Sequence, residues 1–130
     1  MVVNELSGIL ENIIHKNGVY FFEVSVDGDS FFALQLHNGC KIDSSVKLRF
    51  REGDISIAKK IHPEISISNI HKATVKNIEN DSLLARVELY YKKKSLFSLI
   101  TEKSLKKLDL KINDEVYFLV KALSIEVFCE

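Results

Sequence analysis

Apolar and polar side chains alternate with a period of two along much of this sequence, and that pattern predicts half-buried β-strands. Two stretches show it most clearly, with apolar faces formed by Tyr20, Phe22, Val24 and Val26 and by Leu83, Ala85, Val87 and Leu89. Turn-forming pairs such as Asn17-Gly18 and Asn38-Gly39 separate the alternating stretches. Many short strands at close spacing predict an all-β barrel or sandwich.

The two halves of the chain repeat one order of elements. Residues 4–9 and 69–74 both begin with Asn and lead into a long strand and a hairpin, and each half closes on a strand that ends in a basic residue. In the second half, residues 101–115 leave room for a helical turn with Leu105 and Leu108 facing inward. A repeat of this kind predicts two similar units.

The join between the units is placed near Pro63, since proline is excluded from a central strand and biases His62 toward an extended conformation. The predicted units are therefore 1–62 and 63–130. A unit of about 65 residues is marginal on its own, so we expect the two to pack closely or to share strands.

Composition and charge exclude several classes of function for this chain. With 130 residues, 18 basic and 18 acidic side chains and a net charge of zero, the chain has no general attraction for nucleic acid or anionic membranes. No leader-like segment and no apolar run of about 18 residues is present, so we expect a cytoplasmic protein without membrane insertion. Cys40 and Cys129 form no C-x-x-C pattern and are interpreted as incidental.

Patterns typical of enzymes are missing. The four histidines lack the H-x-x-x-H spacing of zinc sites, and neither a Gly-rich phosphate loop nor a G-x-S-x-G elbow occurs. We therefore expect no catalysis. Lys92-Lys93-Lys94 is interpreted as a hairpin tip that protects a strand edge. Phe31-Phe32 and Tyr90-Tyr91 would suit a binder of single-stranded nucleic acid, but zero net charge and alternating burial favour core packing.

One group of residues in the second half is rich in hydrogen-bond donors: Ser66, Ser68, Asn69, Thr101, Lys103, Ser104, Lys121 and Ala122. A tetrahedral oxyanion presents only acceptors, so its pocket needs hydroxyls, backbone N–H groups and an ammonium group. Thr101 is a good N-cap, which would aim the N–H groups near Lys103 and Ser104 at an anion. The alternative is structural: a cap at Thr101, linker serines at Ser66 and Ser68, and an exposed strand end at Lys121.

The order of these residues resembles the Mop-type TOBE domain, the OB-like barrel of molbindins, of the molybdate-responsive transcription regulator and of the molybdate-transporter ATPase. That family has S-x-R-N, then T-x-x-S before a short helix ending L-x-L, then G-D-x-V-Y-x-x-[IV]-K-[AS]. Ser66 and Asn69 match the first motif, and Ser68 replaces its Arg. Thr101, Ser104 and Leu108-Asp109-Leu110 match the second, and residues 113–122 match the last except that Asn113 replaces Gly. In the first half, Arg51-Glu52-Gly53-Asp54 is similar to the R-P-E-D signature of transporter ATPases.

The resemblance implies a fold of two tandem OB-like five-stranded β-barrels, with a short helix in the second unit. It also implies that molybdate or tungstate binds as a ligand, with no other cofactor and no directly bound metal, where one unit's opening serine segment faces the T-x-x-S and K-A segments of another. Lys103 or Lys121 would partly offset the Arg missing at Ser68. We expect sites mainly between the second units of two chains, or one hybrid site per chain, in a homodimer, with a trimer as the alternative.

Two functions follow from these observations. The first is non-catalytic binding of molybdate or tungstate for storage, sensing or transport regulation. The second is a regulatory or scaffolding interaction module of a molybdate transporter ATPase or regulator whose oxyanion site has decayed, as the substitution at Ser68 and the depleted first unit suggest.

Overall fold

Two five-stranded antiparallel sheets account for most of the chain in the computed structural model, which describes residues 1–130. The first sheet has the order β10 (Glu126–Cys129), β4 (Ser45–Arg51), β1 (Val3–Lys16), β2 (Val19–Val26) and β3 (Asp29–Gln35). The second has the order β5 (Ser56–Ala58), β9 (Glu115–Val120), β6 (Asn69–Asn80), β7 (Leu84–Tyr91) and β8 (Lys94–Thr101). One helix, α1 (Glu102–Leu108), follows β8. The all-β fold of tandem OB-like units is confirmed.

The long strands β1 and β6 each carry a β-bulge at the same place in the repeat. The register of β1 on β2 shifts between Leu10 and Asn12, and that of β6 on β7 shifts between Val75 and Asn77. Bulges increase twist and bend a strand, which lets one strand pair with two neighbours in a curled sheet. Ahead of the first bulge, a Cβ on Gly8 would lie 2.5 Å from the Ser25 carbonyl oxygen, so only glycine fits there.

The alternating stretches form one continuous core with the interior faces of both sheets. Phe22, Val24 and Val26 are fully buried, as are Ala85, Val87 and Leu89. Leu83 was expected on that second face, and this expectation is wrong because Leu83 precedes β7 and is 75% exposed. The Asp81 carboxylate accepts the N–H groups of Leu83 and Leu84 at 2.7 and 2.8 Å, which turns Leu83 away from the core.

Each sheet takes one strand from the other side of Pro63. Strand β5 belongs to the first half of the sequence and pairs with β9, whereas β10 is the last strand of the chain and pairs with β4. The halves therefore share strands. The division of the chain into units 1–62 and 63–130 therefore stays a prediction. Each sheet contains strands from both sides of that boundary.

Two asparagines join the halves in a reciprocal pair of contacts, here called the asparagine clasps. The Asn4 amide donates to the Phe97 carbonyl oxygen (2.9 Å) and accepts from the Phe97 N–H (2.7 Å). The Asn69 amide makes the same two bonds with Phe32, at 2.8 and 2.7 Å. Both asparagines are buried, so each satisfies a backbone N–H and C=O that water does not reach freely.

A buried ion pair adds a further connection between the halves. Glu52 is 1% exposed, and its carboxylate accepts two hydrogen bonds from the Arg86 guanidinium at 2.8 and 2.9 Å. The Arg86 hydrogen bonds lower the pKa of Glu52 from its ordinary value. Neighbouring Arg51 and Asp54 cap the same short turn. The segment Arg51-Glu52-Gly53-Asp54 therefore holds β7 of the second half against the first.

Cys40 and Cys129 form a disulfide bond, which corrects their interpretation as incidental. Cys40 lies between β3 and β4, and Cys129 ends β10, so the strand exchange brings together cysteines that are 89 positions apart. In a chain-entropy account, a disulfide that closes a loop of that length stabilises the folded protein by roughly 4–5 kcal/mol.

The helices are all too short or too polar to cross a membrane.

Replacing either clasp asparagine by alanine leaves one backbone N–H and one C=O without a partner. At about 1–3 kcal/mol for each such group, Asn4→Ala and Asn69→Ala should each lower the free energy of unfolding by about 2–6 kcal/mol in urea titrations. The exposed Asn77 makes no side-chain hydrogen bond, and Asn77→Ala is the matched control. Losses no larger than that of the control would contradict a structural role for the clasps.

Candidate functional site

The opening serine segment and the K-A segment lie side by side at one end of the second sheet. Asn69 pairs with Val120 across the antiparallel ladder of β6 and β9, so Ser68 and Lys121 flank that pair at the same end. Ser66, Ser68 and Lys121 are exposed, and their side chains make no hydrogen bond or salt bridge within the chain. These donors are free to meet a ligand.

The T-x-x-S segment forms the corner between β8 and α1. Thr101 has an extended backbone (φ −78°, ψ 151°) and its Oγ1 accepts the Ser104 N–H at 3.1 Å, which confirms it as the N-cap. The two hydroxyls lie 3.0 Å apart. A capping threonine ends the strand and starts the helix because its hydroxyl satisfies an N–H that has no partner within the helix.

The expectation that the N–H groups near Lys103 and Ser104 point at an anion needs correction. The Ser104 N–H is already bonded to Thr101, and the Glu102 N–H donates to the Leu83 carbonyl oxygen at 2.9 Å. These bonds leave Lys103 as the remaining N–H of the first turn. The donors available at this corner are therefore mainly its hydroxyls and the exposed Lys103 ammonium, and backbone N–H groups contribute less.

Strand β5 connects this corner to the end of β9. Ser56 pairs with Leu119, two positions before Lys121. Ser56 and Ile57 also line an open cleft of about 220 Å³ that includes Ser104 and Lys107. Ser56 was missed in the sequence because it belongs to the first half, and no local pattern indicates that its strand crosses to the second sheet.

Asn69 takes a different place from the one expected. Its side chain is 0% exposed and is bonded to Phe32 through the amide oxygen and the amide nitrogen. Because it lies in the ladder beside Ser68, it fixes the end of β6 next to Lys121. Ala122 begins a short turn after β9, in which the Ser124 N–H donates to the Lys121 carbonyl oxygen at 2.9 Å.

Positive charge at these segments is modest and unpaired. Lys103 and Lys121 form no salt bridge, whereas Lys106 pairs with Glu102 at 3.7 Å. No group of three or more His, Cys, Asp or Glu side chains is arranged to hold a metal ion. The donor set is therefore hydroxyl, ammonium and amide groups, which suits an anion with several acceptor oxygens.

Comparison with known proteins identifies the family. A sequence model of the TOBE domain matches residues 65–127, which contain all the donor segments described above. The second half of this chain is a TOBE domain. Over 106 residues, 80% of the chain, it is 39% identical to the molybdenum import ATP-binding protein ModC of Brucella abortus (strain 2308), and equally to that of Brucella suis biovar 1. The match covers 29% of the length of those relatives.

The fold of the whole chain also has a solved counterpart. The crystal structure of the cytoplasmic molybdate-binding protein ModG, with molybdate bound, superposes with a TM-score of 0.92 at 18% identity. The superposition covers 98% of this chain and 96% of that one. At this identity the likeness establishes the fold, including the first half that the TOBE domain model does not match.

A polar cluster that the sequence did not indicate lies where the TOBE domain meets the β2–β3 hairpin. Asp29 accepts a hydrogen bond from the Tyr91 hydroxyl (2.7 Å), and its carboxylate lies 3.3 Å from the Lys92 ammonium and 3.5 Å from His71 Nδ1. Lys92 also donates to the Asp27 carbonyl oxygen at 2.6 Å. The hairpin tip at Lys92 is confirmed, but this lysine joins the two halves instead of only covering an edge.

His71 is the least satisfied member of this cluster. Its ring stacks on Phe31 with centroids 4.2 Å apart, and its buried Nε2 has no hydrogen-bond partner. Burial lowers the pKa of His71, and the nearby Asp29 carboxylate opposes that effect without reversing it. At the equivalent position of the first repeat, Leu6 is fully buried. The TOBE domain therefore carries a titratable group where the other half has an apolar one.

The lowered pKa of His71 predicts a pH-dependent stability. The unfolded chain binds the proton with the ordinary pKa of 6.5, and the folded chain binds it more weakly. Stability is then highest above pH 6.5 and falls as the pH drops toward the lower folded pKa, by at most about 1.4 kcal/mol per pH unit for one proton. His71→Leu, which copies Leu6, should remove this slope in urea titrations between pH 7 and 5. His37→Asn is the control and should keep it, and an unchanged slope in His71→Leu would refute the assignment.

Proposed function

We propose that this protein is a non-catalytic cytoplasmic binder of molybdate or tungstate, serving storage, sensing or transport regulation. The observation that carries this proposal is the free donor set at the end of β9, where Ser68 and Lys121 flank one ladder pair without any partner of their own. Support comes from the TOBE domain at residues 65–127 and from the ModG fold.

The chemistry of the ligand fits these donors. Molybdate and tungstate are doubly negative at neutral pH and present four oxygens that only accept hydrogen bonds, so they need several donors, of which ammonium groups make the stronger charge-assisted bonds. Ser66 and Ser68 supply hydroxyls, the hydrogen-bonded pair of Thr101 and Ser104 supplies one more hydroxyl hydrogen, and Lys103 and Lys121 supply ammonium groups. Ala122, at the start of the turn after β9, leaves space and a backbone N–H for an oxygen.

Asn69 has a supporting role in this proposal. Its amide is bonded to Phe32, so it holds Ser68 beside Lys121 and contributes at most one remaining amide hydrogen to the ligand. The absence of an arginine at Ser68 lowers the positive charge of the pocket. Lys103 and Lys121, which have no acidic partner, compensate in part.

The pocket is completed by a second copy of the chain. The serine segment and the T-x-x-S corner are exposed, and the cleft beside Ser104 is open to solvent. We propose that the serine segment of one TOBE domain faces the corner and Lys121 of another, in a homodimer, with a trimer as the alternative. Light scattering coupled to size exclusion, with and without tungstate, distinguishes these assemblies.

Titration calorimetry tests the ligand. Molybdate and tungstate should release heat on binding, and sulfate, which is smaller, should give little. The same absence of heat for all three anions would reject the proposal. Heats that are equal for sulfate and molybdate would reject its specificity.

Site variants test the residues. Lys121→Ala and Thr101→Ala should each weaken tungstate binding about 10-fold or more, because each removes a donor to a charged ligand worth roughly 1.5–3 kcal/mol. Thr101→Ser keeps both the cap and the hydroxyl and should bind nearly as well as the wild type. Lys16→Ala removes an exposed lysine from the other half and is the control for net charge. Equal affinities in Lys121→Ala and Lys16→Ala would place the site elsewhere.

A second candidate function is an interaction module that acts on a molybdate transporter ATPase or on a regulator. The 39% identity to part of an import ATP-binding protein favours it. In this case a pull-down should recover the partner equally with and without tungstate, and the Lys121→Ala variant should recover it as well as the wild type does. Recovery that depends on tungstate would favour a sensor.

A further inference from the structure

The disulfide between Cys40 and Cys129 lies where β10, the last strand of the second half, pairs with the first sheet. Cys40 is in the loop after β3, and Cys129 is the last residue of β10. Their Cα atoms are 5.3 Å apart, while 89 positions separate them in sequence. The bond therefore closes the strand exchange covalently.

The noncovalent hold on β10 is small. The strand has four residues at the edge of its sheet, and Val127 is its one buried side chain. The Val127 N–H donates to Gln35 Oε1 at 3.1 Å, and the Phe128 ring lies 4.4 Å from the Arg49 guanidinium carbon. A short edge strand with so few buried contacts belongs to the part of a protein that opens locally at low cost.

The bond is also open to exchange with an external thiol. Cys129 is exposed and Cys40 is 8% exposed, so an attacking thiolate can reach Cys129 Sγ without unfolding the core. In reducing compartments, disulfides are usually transient and redox-sensing. Exposure of one cysteine residue and burial of the other suit a bond that breaks and reforms in the native protein.

Strand β10 is directly connected to the proposed oxyanion segment. Lys121 and Ala122 form the short turn that precedes it, with the Ser124 N–H on the Lys121 carbonyl oxygen and the Ile125 N–H on the Ala122 carbonyl oxygen, at 2.9 and 3.3 Å. When β10 is fixed, this turn has fixed ends. When β10 is loose, the turn keeps its packing against β3 and the buried side chain of Ile125, but the chain beyond Ile125 is no longer held.

We propose that Cys40 and Cys129 form a thiol-sensitive latch that controls the order of β10 and, through the turn that precedes β10, the position of Lys121 and Ala122. The coupling to Lys121 rests on the proposed function, whereas the latch itself does not. In the exchange, a dithiol attacks Cys129 Sγ and Cys40 leaves as a thiolate. The second thiol of the reagent then displaces Cys129, so the protein gains two electrons and two protons and the reagent becomes a disulfide.

Hydrogen–deuterium exchange on the full chain tests the latch. Dithiothreitol should accelerate exchange of the amides of residues 122–129 by about 10-fold or more and leave those of β2 unchanged, since only the edge strand opens. Reoxidation should restore the protection. The double variant Cys40→Ser/Cys129→Ser should exchange as the reduced wild type does, and its exchange should not change when dithiothreitol is added.

Three results would overturn the latch. The first is two free thiols in air-purified native protein by thiol titration, and the second is equal hydrogen–deuterium exchange before and after reduction. The third is loss of protection in both sheets on reduction, which would mean that the bond stabilises the whole fold. The reduced wild type gives the answer even where the double variant does not fold.

Tungstate calorimetry on the same samples tests the coupling separately. Reduction should weaken tungstate binding about 3-fold or more, and reoxidation should restore it. Local opening without a change in affinity would overturn the coupling and keep the latch. Absence of tungstate binding in both states would refute the proposed function, while the exchange experiment would still decide the latch.

Discussion

The reciprocal asparagine clasps are the constraint on which the rest of this structure depends. Asn4 satisfies Phe97, and Asn69 satisfies Phe32, so the first strand of each repeat is bonded to the third strand of the other. Buried backbone groups without partners are costly, which makes each clasp specific for one relative position of the halves. With that position fixed, β5 and β10 can cross to the opposite sheets, and the two halves share one core.

The two repeats have the same backbone and different chemistry at equivalent places. In the TOBE domain, Lys121-Ala122 follows the closing strand and leaves free donors. In the first half the closing strand ends at Arg51 and Glu52 follows it, and these two side chains form ion pairs with Asp54 and Arg86. The first half has a loop where the TOBE domain has Thr101 and α1. One repeat thus uses these positions for cohesion, and the other keeps them available for a ligand.

Much of the fold and part of the candidate site could be predicted from the sequence. The alternation at Phe22, Val24 and Val26, the hairpin turn at Asn17-Gly18 and the cap at Thr101 depend on near neighbours in the chain, and all are confirmed. Asn38-Gly39 lies instead in an irregular loop between two strands that do not pair. The prediction for Leu83 was wrong because the Asp81 carboxylate, two positions earlier, accepts the Leu83 N–H and redirects the backbone. The alternation of apolar and polar residues gives no sign of such a bond. Whether Ser66, Ser68, Lys103, Ser104, Lys121 and Ala122 bind an oxyanion stays a prediction, since a pocket shared between chains is not encoded in either one alone.

By itself, the sequence determined the repeat, the strand-rich architecture and the place of the helix, because hydrophobic periodicity and capping act over a few residues. The tertiary structure alone decided which strands cross between the sheets, the pairing of Cys40 with Cys129, the ion pair of Glu52 with Arg86 and the burial of His71 beside Asp29. Each of these joins residues that are tens of positions apart. Such contacts exist only after the two halves have docked, so no local pattern in the chain could reveal them.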